Sequence, residues 1–407
     1  MQTPIMPLLA PSITTTPHAG PSAGARAHAL RLPFIDNLRW VMIVLVVAMH
    51  AAVTYGIPGL WYYTETASLS RGEQLFFYAF AFFTKTFRMG ILFFIAGYFV
   101  PGAYDRKGAG PYLRDRAYRL GLPTLLFMLI LSPLTGWLGG WHRIAGSPLH
   151  SFGHEYKHYL LSGTFLSGFG PLWFCVLLLL FSGIYVACRE LGLTLTSSAS
   201  APRNFPGAGV LLIFIALIGV CTFGVRVSWP IGTAFFNLQL GYFPQYIAFF
   251  FAGTLAWRHD WMNTLTTSAG KRWGLIALMA GPLVWIALLF TGDAFNTPSF
   301  FIGGWHWQSL AISFLEAILG VGISLGIIAV FRDRFNRQGP RAAFLSANSF
   351  AVYVFHATIL VALTRAMAGW QAPPLLKFAV AVVLAVTLTY ILAATLFRRI
   401  PLLKKIL

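Results

Sequence analysis

Long apolar runs separated by short polar segments dominate the chain from residue 31 onward. Each run has about 17–25 residues, the length that an α-helix needs to cross the hydrocarbon core of a bilayer. The runs lie at 38–56, 84–101, 120–139, 172–188, 208–224, 241–257, 273–291, 308–331, 349–367 and 374–397. The pattern therefore predicts an all-α fold, a polytopic membrane bundle of about ten transmembrane helices.

The composition supports a membrane protein with a single transmembrane domain. Hydrophobic residues make up 57% of the 407 residues and charged residues only 10%, whereas soluble domains carry about 25% charged residues. Residues 1–30 are rich in Pro, Ala, Ser and Thr and contain no apolar run, so we expect a disordered tail and no signal peptide. Residues 31–400 would form the transmembrane domain, and 401–407 a basic tail.

The net charge of +18 raises the question of nucleic-acid binding, which the distribution of basic residues answers. With the N-terminus inside, 20 of the 29 Lys and Arg residues fall in the two termini and in every second connection, eight fall on the opposite side or in adjoining helix halves, and Arg39 lies inside the first span. This asymmetry is typical of cytoplasmic loops. The sequence therefore predicts cytoplasmic termini in an inner-membrane protein that contacts lipid, with no nucleic-acid partner.

The predicted external connection at 140–171 contains a spaced set of histidines. His150, His154 and His158 lie four residues apart, so a helix would place them on one face, where metal binding is conceivable. Only Glu155 adds a further ligand nearby, and a polar interfacial helix explains the pattern as well. The three cysteines lie in or beside apolar runs without ligand spacing. We therefore predict no metal site.

Ionisable residues inside a predicted span are costly and therefore informative. Arg39 and His50 are 11 residues apart in the first span, which places them on the same helix face about 16 Å apart along the axis. The arginine would lie at the cytoplasmic mouth and the histidine deep in the membrane. Histidine is a suitable general base near neutral pH. Helix packing alone could also accommodate both residues.

Arg116 and Arg119 lie one helical turn apart at the cytoplasmic start of the third predicted span. Two guanidinium groups at one place suit a phosphate-bearing ligand. Simple anchoring by positive charge is the alternative interpretation, and the spacing does not separate the two.

Several short motifs, in order along the chain, resemble those of the membrane acyltransferase-3 family. They are Asp36-x-Leu-Arg39 followed by His50, Phe93-Phe94-x-x-Gly97, Arg116-x-x-Arg119, Leu172-Trp173-Phe174, and Ser349 followed by Tyr353-x-x-His356. The run from Ile35 to Trp40 resembles the branch near the glucan-succinylating enzymes. The chain departs from the family where Gly170-Pro171 replaces a frequent histidine, and where Trp40 replaces a frequent glycine.

The resemblance implies acyl transfer from a cytoplasmic acyl-coenzyme A type donor to a hydroxyl of an extracytoplasmic glycan or lipid-linked saccharide. Arg39, Arg116 and Arg119 would bind the donor, and His50 would deprotonate the acceptor. Acyl-coenzyme A would be a co-substrate, and no cofactor is expected. Whether a protein partner takes part stays open.

Further ionisable residues inside the spans are candidates for supporting this site, namely Asp36, Arg88, Glu316, Tyr353 and His356. A pairing of Arg88 with Glu316 would neutralise both charges, and a purely structural clamp is the other interpretation.

A secondary transporter is the alternative from another functional class. It predicts inverted repeats and spans interrupted by Gly or Pro, and Pro244, Gly320 and Gly322 are the candidate interruptions. A non-catalytic scaffold would not explain two polar residues on one face of the first span. Loss of acylated product in His50→Ala would separate an acyltransferase from a transporter.

Overall fold

The computed structural model describes residues 32–65, 68–140, 151–193 and 203–404. The predicted tail at 1–30, His150 and the last three residues lie outside this part of the chain. The main helices are α1 (Pro33–Tyr55), α2 (Arg71–Lys107), α3 (Ala109–Gly139), α4 (Phe152–Leu161), α5 (Trp173–Glu190), α6 (Ala208–Ser228), α7 (Phe243–Arg258), α8 (Thr267–Thr291), α9 (Trp307–Arg334), α10 (Pro340–Ala366) and α11 (Pro374–Thr395). Short helical turns lie at Thr164–Ser167, Gly170–Leu172, Leu240–Tyr242, Trp261–Thr264, Ser299–Ile302, Phe397–Arg399 and Pro401–Lys404.

The all-α membrane bundle is confirmed. In the described part of the chain, nine helices are long and apolar enough to cross a membrane, and each corresponds to a predicted span. The tenth prediction, at 241–257, corresponds to α7, which has only 16 residues. Arg226 donates from its Nε to the Gly241 carbonyl at one end of α7 (3.1 Å), and Arg258 bonds Asp105 at the other (2.6 Å). The shorter α7 therefore runs through the bundle beside α2.

Several helices extend well beyond the predicted apolar runs. Helix α2 begins at Arg71 rather than near 84. Ser70 and Glu73 form a capping box there, with Glu73 N donating to Ser70 Oγ (3.3 Å) and Ser70 N to Glu73 Oε2 (2.9 Å). Helix α3 likewise begins at Ala109, ahead of its arginines. Hydropathy marks only the apolar portion of a helix, whereas caps set its ends.

Two prolines shape α3 without ending it. The segments Ala117–Gly121 and Phe127–Leu131 are wound as π-helix, and each ends shortly before a proline, Pro123 and Pro133. Proline lacks an N–H and its ring crowds the carbonyl four residues earlier, so the backbone widens locally.

The residues that the transporter alternative named as candidate interruptions do not break their helices. Gly320 and Gly322 lie inside continuous α9, and Pro244 lies in the first turn of α7.

Glycines allow α2 and α7 to pack closely. In a membrane the hydrophobic effect does not drive helices together, so close packing contributes more to their association. A Cβ on Gly97 of α2 would lie 2.0 Å from the Phe250 carbonyl oxygen of α7, and one on Gly253 would lie 2.2 Å from the Phe94 carbonyl oxygen. Small residues commonly mediate such backbone approaches in membranes. The glycine in the Phe-Phe-x-x-Gly motif therefore sets how closely α2 approaches α7.

The two ends of the bundle are defined here by α1, which begins at the near end and finishes at the far end. Asn37, early in α1, donates to the Phe335 carbonyl (2.7 Å) and the Arg337 carbonyl (3.0 Å) in the α9–α10 connection. This connection therefore shares the near end with the start of α1. At the far end, Lys377 of α11 pairs with Glu65 in the α1–α2 connection.

Candidate functional site

Two histidines from helices far apart in sequence meet inside the bundle. His50 of α1 and His356 of α10 are joined by a hydrogen bond of 3.1 Å between His50 Nδ1 and His356 Nε2. The His356 ring is fully buried, and its Nδ1 lies 2.7 Å from the Tyr353 carbonyl oxygen. The sequence singled out both residues separately, and the fold brings them together.

The carbonyl partner determines how the protons are arranged in this pair. A carbonyl oxygen only accepts, so His356 Nδ1 must donate to Tyr353 O. In a neutral imidazole the other nitrogen then accepts, so His356 Nε2 takes a hydrogen bond from His50 Nδ1. His50 Nε2 therefore keeps its lone pair. Nε2 is therefore the His50 nitrogen whose lone pair is available to accept a proton.

The His50 ring is held on its other side by an aromatic residue. Trp61, in the α1–α2 connection, stacks on the imidazole with ring centroids 4.3 Å apart and planes 13° apart. The neighbouring Tyr62 is tied to α3 through its hydroxyl, which lies 3.0 Å from Ser132 Oγ. Burial raises the pKa of Tyr62 above its usual range, so its hydroxyl stays protonated. The connection therefore holds the His50 ring in one orientation.

Arg88 of α2 is a buried cation beside the histidine pair. It is 7% exposed, its Nη1 donates to the Leu45 carbonyl (3.2 Å), and its Nε has no partner among the described residues. It lies close enough for its charge to act on both His50 and His356. A buried guanidinium with a spare N–H next to two imidazoles is chemically suited to stabilise negative charge.

The predicted pairing of Arg88 with Glu316 is wrong. Glu316 of α9 instead accepts a 2.5 Å hydrogen bond from Arg226 Nη2 of α6. Arg226 is fully buried and also donates from Nη1 to Ser313 Oγ (3.2 Å), while Lys85 bonds the hydroxyl of Tyr242 close by. Arg226 is one of the eight basic residues outside the predicted cytoplasmic segments. Its position beside an apolar run was the available signal.

Tyr353, on α10 beside His356, contacts the Gly170-Pro171 turn, where the chain departs from the motif that it resembles. Its buried hydroxyl donates to the Pro171 carbonyl. Gly170, one residue earlier, has φ +43, and a Cβ there would lie 2.6 Å from both Phe127 and the Tyr62 hydroxyl. Close packing at this turn therefore excludes a larger side chain such as histidine at position 170.

The predicted donor residues lie at the near end, each with its own local partner. Arg39 Nη1 bonds Asp36 Oδ1 (3.3 Å) one turn earlier on α1. On α3, Arg119 Nε bonds Asp115 Oδ1 (3.0 Å) and its side chain is 67% exposed. Arg116 lies over the Tyr112 ring, 5.2 Å from its centroid. Surface ion pairs of this kind are weak, and the Arg39 side chain is 37% exposed while Arg116 is half-buried.

His154 and His158 lie exposed on α4, as part of the predicted polar helix. Among the residues that the structure describes, no group of three or more His, Cys, Asp or Glu side chains could hold a metal ion.

Comparison with known proteins adds independent findings. A family model described as an acyltransferase domain matches residues 32–394. Glucans biosynthesis protein C of Escherichia coli O17:K52:H18 (strain UMN026 / ExPEC) is 23% identical over 348 residues, which cover 81% of this chain and 82% of that protein. The proteins of the same name from Shigella dysenteriae serotype 1 and E. coli strain K12 are each 22% identical over 347 residues, with the same coverage. No solved structure gives a significant match.

Proposed function

The chain belongs to the acyltransferase-3 family and is a multi-pass membrane acyltransferase, and we propose that it acylates a hydroxyl of an extracytoplasmic glycan. The donor in this proposal is a cytoplasmic acyl-coenzyme A or a similar thioester. The observation that carries the proposal is the hydrogen bond between His50 and His356, which leaves His50 Nε2 free to accept a proton.

The proposed reaction needs a base, an aligned alcohol and a group that stabilises an oxyanion. The acceptor oxygen forms a bond to the thioester carbonyl carbon while its proton passes to His50 Nε2. The carbon–sulfur bond then breaks, and the leaving thiolate takes the proton from the His50 imidazolium. His50 Nδ1–H donates to His356 throughout, which supports the charged ring. In this proposal Arg88 stabilises the carbonyl oxygen as it becomes negative.

We assign the near end of the bundle to the cytoplasm of an inner-membrane protein. The support is the charge asymmetry of the sequence, in which 20 of the 29 basic residues fall in the termini and in every second connection, the α9–α10 connection among them. Arg39, Arg116 and Arg119 would then bind phosphates of the donor. Arg39 and His50 share one face of α1, so a donor bound at Arg39 would lie on the same side of the helix as the base.

The acceptor class follows from the relatives, which are named for the biosynthesis of glucans. Since identity is only 22–23%, we propose the class, a glucose-containing glycan or its lipid-linked form, rather than one compound. Mass spectrometry of cell-surface glycans with and without the gene would identify the acyl group and the acceptor.

The test of the base compares His50→Ala and His50→Gln with the wild type. Two quantities are measured together, protein level in the membrane and acylated glycan per protein molecule. Loss of a general base lowers the rate by about 10²- to 10⁴-fold, so we expect near-normal protein with product reduced by that factor. His158→Gln, at an exposed position of α4, is the matched control. Near-normal product per molecule in both His50 variants would contradict the assignment.

A further inference from the structure

A cavity of about 410 Å³ opens at the far end, between the end of α1 and the α1–α2 connection. This volume lies within the range of about 300–1,000 Å³ that is usual for small-molecule sites. Its lining includes the apolar residues Val53, Ile57, Pro58 and Leu69, and the polar residues Thr54, Tyr55, Thr64, Glu65, Gln74 and Tyr78. The cavity therefore combines hydrogen-bonding groups with apolar surface.

The carboxylate of Glu65 is fixed in the wall of this cavity. Its backbone N–H donates to the Thr54 carbonyl (2.8 Å), and its Oε1 accepts a hydrogen bond from Lys377 of α11. Lys377 itself is only 3% exposed. The second carboxylate oxygen, Oε2, is buried and has no partner among the described residues. The Tyr63 hydroxyl also interacts with this carboxylate, and Oε2 is the oxygen that is held in a defined place without a hydrogen bond of its own.

Tyr55 contributes a second unused polar group. The residue is 2% exposed, and its hydroxyl has no partner in the part of the chain that the structure describes. A buried polar group without a hydrogen bond destabilises the fold. Two such groups beside one cavity, a carboxylate oxygen and a phenol, suit a ligand that carries several hydroxyls, since one hydroxyl donates to Glu65 and another bonds Tyr55. Tyr78, which also lines the cavity and is 48% exposed, adds an aromatic ring of the kind that packs on the C–H surface of a sugar.

The cavity lies about one helical turn from His50 along α1. Val53, which lines it, follows His50 by three residues, a rise of about 4.5 Å along the helix. Thr54 Oγ1 donates to the His50 carbonyl (3.3 Å). The Glu65 carboxylate is already paired with Lys377, and the other polar residues of the lining are neutral hydroxyl and amide groups, so the cavity suits a neutral polyhydroxyl ligand.

We propose that this cavity is the acceptor subsite and that it binds the glucose units of the glycan, with Glu65 and Tyr55 as recognition residues. The proposal rests on the proposed function. It places acceptor recognition at the far end of α1, while the arginines of the donor site lie at the near end.

The test measures binding of a linear glucose trisaccharide to the full chain in lipid nanodiscs, by saturation-transfer NMR titration. Tyr55→Phe removes only the hydroxyl, and we expect it to weaken binding about 3- to 10-fold, as for one neutral hydrogen bond. Glu65→Gln should weaken binding about tenfold or more, because its hydrogen bond is charge-assisted. Tyr390→Phe is the matched control, since Tyr390 is 4% exposed and its hydroxyl is equally unpartnered, but it does not line the cavity.

Binding by Tyr55→Phe equal to that of wild type and Tyr390→Phe would overturn the assignment, as would the lack of saturable binding by the wild type. His50→Gln separates this proposal from the proposed function, because trisaccharide binding needs no base. We expect His50→Gln to bind the trisaccharide normally and form almost no product. Unchanged product in His50→Gln would refute the catalytic role while leaving the binding test intact.

Discussion

Replacement of His356 by phenylalanine tests the hydrogen bond on which the catalytic proposal depends. The substitution keeps a ring of similar size but removes both nitrogens, so His50 Nδ1 loses its partner at 3.1 Å. When His50 accepts the acceptor's proton, that lost bond is a charged one, worth about 1.5–3 kcal/mol. At about 1.36 kcal/mol per factor of ten in rate, kcat should fall about 10- to 150-fold.

The assay is single-turnover acyl transfer by purified protein in nanodiscs, with the rate expressed per folded molecule. The double variant His50→Gln, His356→Phe supplies the decisive comparison. If His356 acts through His50, its removal costs nothing more once His50 is gone, so the double variant should be as slow as His50→Gln. Multiplicative losses would refute the coupling. Thr364→Val, at a buried hydroxyl on the same helix that bonds the Val361 carbonyl, controls for disturbance of α10.

Two further predictions concern the arginines. Arg116→Ala and Arg119→Ala should each raise the donor concentration required for half-maximal rate by about 10-fold or more. Each variant loses a charged hydrogen bond to a phosphate, which is worth about 1.5–3 kcal/mol. An unchanged donor titration in both variants would leave simple anchoring as their role. Glu316→Gln leaves the buried Arg226 without its counter-ion, a loss of about 3–5 kcal/mol, so thermal unfolding followed by size-exclusion chromatography should occur at lower temperature while product per folded molecule changes little. Arg226→Gln should show the same loss, and an unchanged unfolding temperature in both would contradict the pairing.

The transmembrane helices could be predicted from the sequence because each one must by itself be long and apolar enough to cross the bilayer. Apolar length alone located nine of the long helices and α7. The boundaries were less accessible, as α2 shows, where the capping box at Ser70 and Glu73 extends the helix well beyond its apolar run. Hydropathy also gave no reason for α7 to be shorter than its neighbours.

The candidate site was also only partly predictable from the sequence. Arg39 and His50 could be placed on one face from helix geometry, because both lie on α1 and the relation depends only on the angle per residue. The motif around Tyr353 and His356 pointed to a second helix. Nothing in either helix alone indicated that His356 Nε2 would meet His50 Nδ1, so the role of His356 could not be separated from that of a buried structural histidine.

The wrong pairing of Arg88 with Glu316 has a physical cause. Several cations lay at comparable depth in the sequence pattern, and the choice among them depends on which helices are neighbours and on how their side chains are directed. Packing placed Arg226 against Glu316 and left Arg88 beside the histidines. That arrangement changes the interpretation of Arg88 from a neutralised residue to an available cation.

The sequence by itself therefore determined the class of fold, the spans and the chemical groups on each helix, because these depend on local hydrophobicity, charge and helix periodicity. Only the tertiary structure decided which groups meet. The histidine pair, the Arg226–Glu316 pair and the cavity at Tyr55 and Glu65 each join residues from different helices or connections. Helix packing sets such contacts through the shapes of side chains over the whole bundle, and no single helix carries that information.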